Sequence, residues 1–263
     1  MSSKSELLKG IKDEDERIFC ARGLDRAVMA AKSFEPKFSD FADPFKTALL
    51  REIVHKELGY EIKIMSWGGT EDAERRMTGF FPEYTESETS SFPIACVEIR
   101  HNPKFGRQLT HRDYLGSVLG LGITREKTGD ILIEEGCAYV LAEKEVAEFI
   151  TSNLEYVGHT KVKTALTDGY QGQSPKGTEK RLTVSSLRLD AVLSSAFNLS
   201  RGKVSDLIKG GKAFVNWIPA DSVSKTVAQG DMLTLRGVGR VKLAEVGGLT
   251  KRDRISLTVE IFK

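Results

Sequence analysis

The sequence predicts an α+β protein: a helix-rich N-terminal region, a ferredoxin-like, RRM-shaped βαββαβ middle unit, and a C-terminal module of two short helices with strands. Three observations carry this expectation. Apolar residues recur at helical spacing up to Gly59, the middle of the chain alternates between period-two and period-3.6 stretches, and beyond Leu187 a basic helical hairpin runs into alternating strands. With 263 residues and 40% hydrophobic content the chain can bury a full core, and its length favours more than one domain. The expected domains are residues 1–72, 73–167 and 182–263, with 168–181 as a linker.

In the first region an amphipathic helix is expected from Glu14 to Lys32. A second opens at Asp43-Pro44, with Asp43 as N-cap, Pro44 as first helical residue and Gly59 as terminator. Phe45, Ala48, Leu49 and Ile53 are its expected core face, and Phe34, Phe38 and Phe41 form a packed connection around Pro36. From Tyr60 the period changes to two, so Tyr60–Ile64 reads as a half-buried strand before the Gly68-Gly69 turn.

The middle unit reads as strands Ile94–Ile99, Asp130–Ile133, Ala138–Leu141 and Leu154–Val157, with helices Arg112–Leu119 and Glu143–Thr151. Many unrelated proteins share this order. Its central strands offer Phe92 and Tyr139 as aromatics, without an RNP1-type motif. Thr110 and Asp113 are spaced as a capping box, which leaves Arg112 free to touch phosphate. His111 and Asp113 have no nucleophile or second carboxylate at a spacing that indicates catalysis. The loop Gly120–Gly129 carries Arg125 and Lys127 and either embraces a polyanion backbone or serves as a turn. It echoes residues 200–206 in the frame [ST]-R-x-K-x-[GS]-D. Asp168–Lys180 is polar and aperiodic, as a flexible linker would be.

In the C-terminal module, Leu189, Val192, Leu193, Ala196 and Phe197 form one helical face, and Val204, Leu207 and Ile208 a second, with Gly210 as the left-handed residue after the helix. Ser200 is a good N-cap, yet Arg201 and Lys203 place cations in the first turn, which the helix dipole disfavours by roughly 0.3–1 kcal/mol per charge. A bound phosphate would resolve that conflict. Arg188, Lys209 and Lys212 extend the basic character. Strands are expected at Ala213–Trp217, Met232–Arg236 and Ile255–Ile261, and Arg236 and Arg240 flank a glycine-rich corner. Beyond Leu182 there are 13 Lys and Arg against 7 Asp and Glu, whereas the remainder is net acidic, so the basic potential belongs to the last module.

No apolar run approaches the ~18 residues of a membrane helix. Met1–Gly10 lacks the apolar segment of a signal peptide and the acids at 13–16 argue against a transit peptide, so a cytoplasmic protein is expected, or a stromal one if a plastid precursor were trimmed. Cys20, Cys96 and Cys137 are scattered and indicate neither a disulfide framework nor a metal site. No cofactor is expected.

The pieces RLDAVL, SRGKVSDLIKGGKAFVN, Lys225 and Gln229-Gly230-Asp231, in that order over roughly residues 183–246, resemble an S4 domain, a small RNA-binding module. With this module placed last, the chain resembles the bacterial YlmH family, also found in cyanobacteria and plastids; FADP, RRMTGFFPEY, FPIACVEIRHN and LTHRDYLGSVLGLGITREKTGDIL support the likeness. The resemblance implies a non-catalytic, monomeric protein that binds structured rRNA of the large ribosomal subunit, with tRNA as a further contact, and acts in ribosome-associated quality control. Its expected RNA-binding residues are Arg188, Ser200, Arg201, Lys203, Lys209, Lys212, Asn216, Lys225, Arg236 and Arg240, with Arg112, Arg125 and Lys127 as a secondary group. Two alternatives stay open: an RNA-modifying enzyme of pseudouridine-synthase type, suggested by Arg188-Leu189-Asp190, and a protein-interaction factor linked to cell division. The tripeptide lies inside the first S4-like helix and no catalytic-size domain follows it, which makes Asp190 structural.

Overall fold

The computed structural model describes residues 4–59, 61–102, 108–170, 172 and 177–262. The chain forms two compact units, Met1–Gly172 and Gln173–Lys263. The first begins with α1 (Lys4–Leu8), α2 (Glu14–Ser33), β1 (Lys37–Phe38), α3 (Pro44–Leu58), β2 (Ile62–Trp67) and β3 (Met77–Pro82). The carboxylates of Asp13 and Asp43 accept the N–H groups of Glu16 and Lys46, so both expected starts are capped as N-cap geometry requires. The buried face of α3 is Leu50, Ile53, Val54 and Leu58; Ala48 is exposed, because packing on α2 turns the helix by one position from the expected face. Gly23 permits that approach, since a Cβ there would meet the Leu50 methyls. Phe41 is buried and Phe38 packs on Phe81 and Phe92, whereas Phe34 is 73% exposed at the left-handed end of α2.

β1, β3 and β2 form an antiparallel sheet, with Ile64 opposite Phe80 and Phe38 opposite Gly79. The boundary expected after residue 72 therefore falls between two paired strands, and Met77–Pro82 belongs with the N-terminal helices. Sequence periodicity registers each strand but not its partner.

The rest of this unit contains β4 (Ile94–Arg100), α4 (His111–Gly120), β5 (Thr128–Glu134), β6 (Cys137–Glu143), α5 (Lys144–Asn153), β7 (Tyr156–Val157), β8 (Thr160–Lys161) and β9 (Lys163–Thr167). The sheet order β5-β6-β4-β9 is antiparallel throughout, which is the ferredoxin-like arrangement. Its fourth strand is β9 and not the expected Leu154–Val157, whose end instead forms a two-residue hairpin with β8. Val97, Ile99, Ala138 and Val140 face α4 and α5, where they bury Tyr114, Val118, Ala147 and Ile150. Phe92 lies in the core; Tyr139 points from the opposite sheet face and donates to Glu98.

The second unit opens with β10 (Thr178–Val184), then α6 (Leu189–Phe197), α7 (Arg201–Lys209), β11 (Ala213–Val215), β12 (Ile218–Pro219), β13 (Met232–Leu235), β14 (Gly239–Leu249) and β15 (Ile255–Phe262). Residues 171 and 173–176 of the expected linker lie outside the described residues, and its last residues are corrected: Thr178–Arg181 pair with β15. Lys180 donates to the carbonyls of Ser195 and Ala196 at the end of α6. The six strands run β10-β15-β14-β13-β11-β12. One sheet face carries Val184, Leu257, Val241, Leu243, Leu233 and Leu235, and against it lie Leu189, Val192, Leu193, Val204 and Ile208 of the helix pair. Among the described residues no helix is long and apolar enough to cross a membrane.

Candidate nucleic-acid interface

The helix pair turns sharply because Asn198 adopts the left-handed region at φ 54, which ends α6, and Ser200 caps α7 two residues later. The Ser200 hydroxyl accepts the Lys203 N–H at 3.3 Å. Gly210 has φ −79, and the left-handed residue is Gly211 at φ 69, one position beyond the expected one. α7 therefore presents an open N-terminus, with Arg201, Gly202 and Lys203 all exposed. Arg201 donates to the Ser185 hydroxyl at 2.8 Å, a neutral partner that orients the guanidinium without cancelling its charge. Lys203 has no ion-pair partner among the described residues. The site thus combines free backbone N–H groups, the positive end of a helix dipole and two uncompensated cations, a combination suited to phosphate.

Lys209 is exposed at the far end of α7, roughly 12 Å from Arg201 by helical rise, and Lys212 is exposed in the turn that follows. Half-buried Lys225 lies beside the start of α6, its backbone carbonyl accepting the Leu189 N–H. Two other expected contacts, Arg188 and Asn216, have partners within the protein. Arg188 is engaged by Asp190 through two hydrogen bonds of 3.0 and 3.3 Å, so its charge is answered within the protein. Asp190 is itself only 7% exposed, as a structural carboxylate should be. Asn216 sits with Trp217 in a two-residue hairpin turn with positive φ at both, and its amide bridges Asp231 and the Met232 N–H. Its role there is to close the turn.

Arg236 and Arg240 are not on the helix side. Leu235 and Val241 point into the core, so strand alternation puts Arg236 and Arg240 on the opposite face, over the rings of Phe214 at 4.3 Å and Phe262 at 5.9 Å. The structure brings together Ser200, Arg201 and Lys203, with Lys209 at the other end of the same helix and Lys212 in the turn after it, and leaves these two arginines elsewhere. Ser185 was missed, since a serine at the end of a strand carries no signal in sequence.

In the secondary group, the Thr110–Asp113 capping box forms and Arg112 is exposed. Arg125 and Lys127 are engaged within the protein. Arg125 donates to the carbonyls of Thr128 and Gly129 and to Thr128 Oγ1 at 2.7–2.9 Å; burial, then the nearby Arg75 charge, bring its pKa down to about 10. Lys127 forms ion pairs with Asp40 at 3.1 Å and Glu143 at 2.6 Å. Both side chains staple the fold.

Burial alone would raise Asp40, but Arg26 and Lys127 outweigh it and hold the carboxyl below its ordinary value. Because the folded pKa is depressed, this stabilisation is present above the ordinary aspartate range near ~4 and is lost as the pH falls through the lower folded value. Asp40→Asn is expected to cost about 1–3 kcal/mol at neutral pH, since it takes the carboxylate from partly buried Arg26 while Lys127 keeps Glu143, and the difference from wild type should shrink under acid. Urea unfolding at pH 7 and at low pH checks both.

The helix pair packed on its sheet lies in residues 187–233, which match the S4 domain, so this is a protein of the S4 RNA-binding class. Residues 87–169 match the family described as "Putative RNA-binding domain in YlmH". The chain belongs to the YlmH family. It is 34% identical over 249 residues to "Ribosome-associated protein quality control protein P2" of Bacillus subtilis (strain 168), covering 94% of this chain and 95% of that one. A solved structure titled "Cell division protein ylmH from Streptococcus pneumoniae" is 28% identical, with a TM-score of 0.49, covering 59% of this chain and 92% of that chain. The matching families describe binding and not catalysis.

Proposed function

We propose that this protein binds structured rRNA of the large ribosomal subunit through the α6–α7 face, with tRNA as a neighbouring contact, and acts in the cytoplasm in ribosome-associated quality control. The observation that carries the reading is the start of α7, where Arg201 and Lys203 have no acidic partner among the described residues and stand at the N–H end of the helix. Phosphate and shape contacts, not base edges, would dominate such binding to structured RNA. The name of the Bacillus subtilis relative, matched along nearly its whole length, supports the ribosomal setting. Arg112 is the exposed cation in the ferredoxin-like unit that fits a secondary phosphate contact.

The test is crosslinking of the full chain to RNA in cells, followed by mapping of both partners. Peptides within residues 188–216 joined to large-subunit rRNA are expected. Recovery of the protein with other proteins but without RNA crosslinks would replace this function with a protein-interaction role.

A further inference from the structure

The β14–β15 hairpin is longer than its core requires. Val241 and Leu243 of β14 are fully buried, but beyond them the ladder shifts register twice, between Leu243 and Glu245 and again between Val246 and Leu249. Glu245, Gly247, Gly248 and Leu249 are exposed, Leu249 by 70%. Apolar burial therefore accounts for the base of the hairpin and not for its end.

The end is nevertheless ordered by its own hydrogen bonds. The Thr250 N–H donates to the Arg254 carbonyl at 2.7 Å, and the Thr250 hydroxyl accepts the N–H groups of Arg252 and Arg254. Asp253 takes the left-handed region at φ 50 to close the turn. Lys251, Arg252 and Arg254 make this turn cationic against the single acid Asp253. Lys251 and Arg252 are exposed and have no ion-pair partner among the described residues.

Position gives these charges their meaning. Arg254 reaches across to β10, donating to Thr183 Oγ1 at 3.0 Å and to the Thr183 carbonyl at 2.5 Å. Two residues further on, Ser185 receives Arg201 from the start of α7. With a strand rise of ~3.3 Å per residue, the two anchoring points are roughly 7 Å apart, so the hairpin end and the helix start lie side by side at one end of the sheet.

We propose that the Thr250–Arg254 turn is a second phosphate-contacting arm of the module, in which Lys251 and Arg252 hold the sugar–phosphate backbone of the same RNA that meets Arg201 and Lys203. It rests on the RNA-binding reading of the α7 face and extends that face onto a separate structural element. The partner's chemistry follows from charge complementarity: two cations without ion-pair partners among the described residues, beside two more at the start of α7. Arg254 positions the turn by its hydrogen bonds to Thr183.

The experiment measures binding of the full chain to rRNA extracted from purified large ribosomal subunits, over a range of salt. Lys251→Glu with Arg252→Glu is expected to weaken binding about 10-fold or more and to flatten the slope of log affinity against log salt by about 1–2 units, because two phosphate contacts are lost. The milder Lys251→Gln with Arg252→Gln should move both quantities in the same direction, and thermal melts should match wild type, since both side chains are exposed. If the turn variants bind as wild type while Arg201→Glu with Lys203→Glu does not, the arm is refuted and the α7 reading stands. If neither pair matters, both fall.

Discussion

Arg201→Glu combined with Lys203→Glu is expected to lower affinity for large-subunit rRNA by about 100-fold. Each charge-assisted hydrogen bond to phosphate contributes roughly 1.5 kcal/mol or more, and two of them amount to a factor of about 10². Reversal adds repulsion at the same place, so the figure is a lower estimate. Stability should rise slightly if it changes at all, because a glutamate in the first turn suits the helix dipole that the native cations oppose. Loss of binding with an unchanged or higher melting temperature is therefore the signature, since a merely structural role would lower both. Co-sedimentation with ribosomes and melting of the same sample give the two readouts, and undiminished co-sedimentation would remove α7 from the interface. Ser200→Ala, by contrast, should cost about 1 kcal/mol of stability through loss of the cap.

The conflict between charge and dipole at Ser200–Lys203 was legible in the sequence because capping and helix ends are local. The same holds for Asp13, Asp43 and the Thr110–Asp113 box, all of which form as their spacing requires. What could not be read was partnership across the chain. Arg188 and Arg201 look alike as surface cations, yet one faces Asp190 and the other a serine hydroxyl. Lys127 sits in a glycine-rich stretch suggestive of a ligand loop, but its partners Asp40 and Glu143 come from distant parts of the chain, whereas Arg125 turns back onto Thr128 and Gly129 of its own loop. For Arg236 and Arg240 a signal was present: the alternation with Leu233, Leu235 and Val241 already assigns them to the non-core face. Asn216 was similarly accessible, as a turn-prone residue at the end of an apolar run.

The largest stability effect expected in the first unit falls on a residue with no local signal, Arg75. Its guanidinium donates to the backbone carbonyls of Thr128 at 3.2 Å, Phe41 at 3.0 Å and Arg125 at 3.2 Å, while its backbone N–H is received by Asp130 at 3.1 Å. One side chain thereby joins the segment before α3 to the turn leading into β5, linking residues on both sides of the boundary expected after residue 72. Desolvation lowers the guanidinium's pKa, with Asp43 and Asp130 acting against that shift, and the group remains charged at neutral pH. Arg75→Ala removes three charge-assisted hydrogen bonds and takes the guanidinium donor from the Phe41 carbonyl, while the Thr128 carbonyl keeps Arg125 and the Arg125 carbonyl keeps the Thr128 hydroxyl, so a loss of about 3 kcal/mol is expected. For a unit of this size that corresponds to a fall in melting temperature of about 6–12 °C. Arg75→Lys should recover less than half, because a single ammonium cannot span three carbonyls that a planar fork reaches together. Calorimetry of both variants decides the matter: a loss under 1 kcal/mol for Arg75→Ala, or full rescue by lysine, would show that the carbonyls find other donors and that the two sheets of this unit are joined by apolar packing alone.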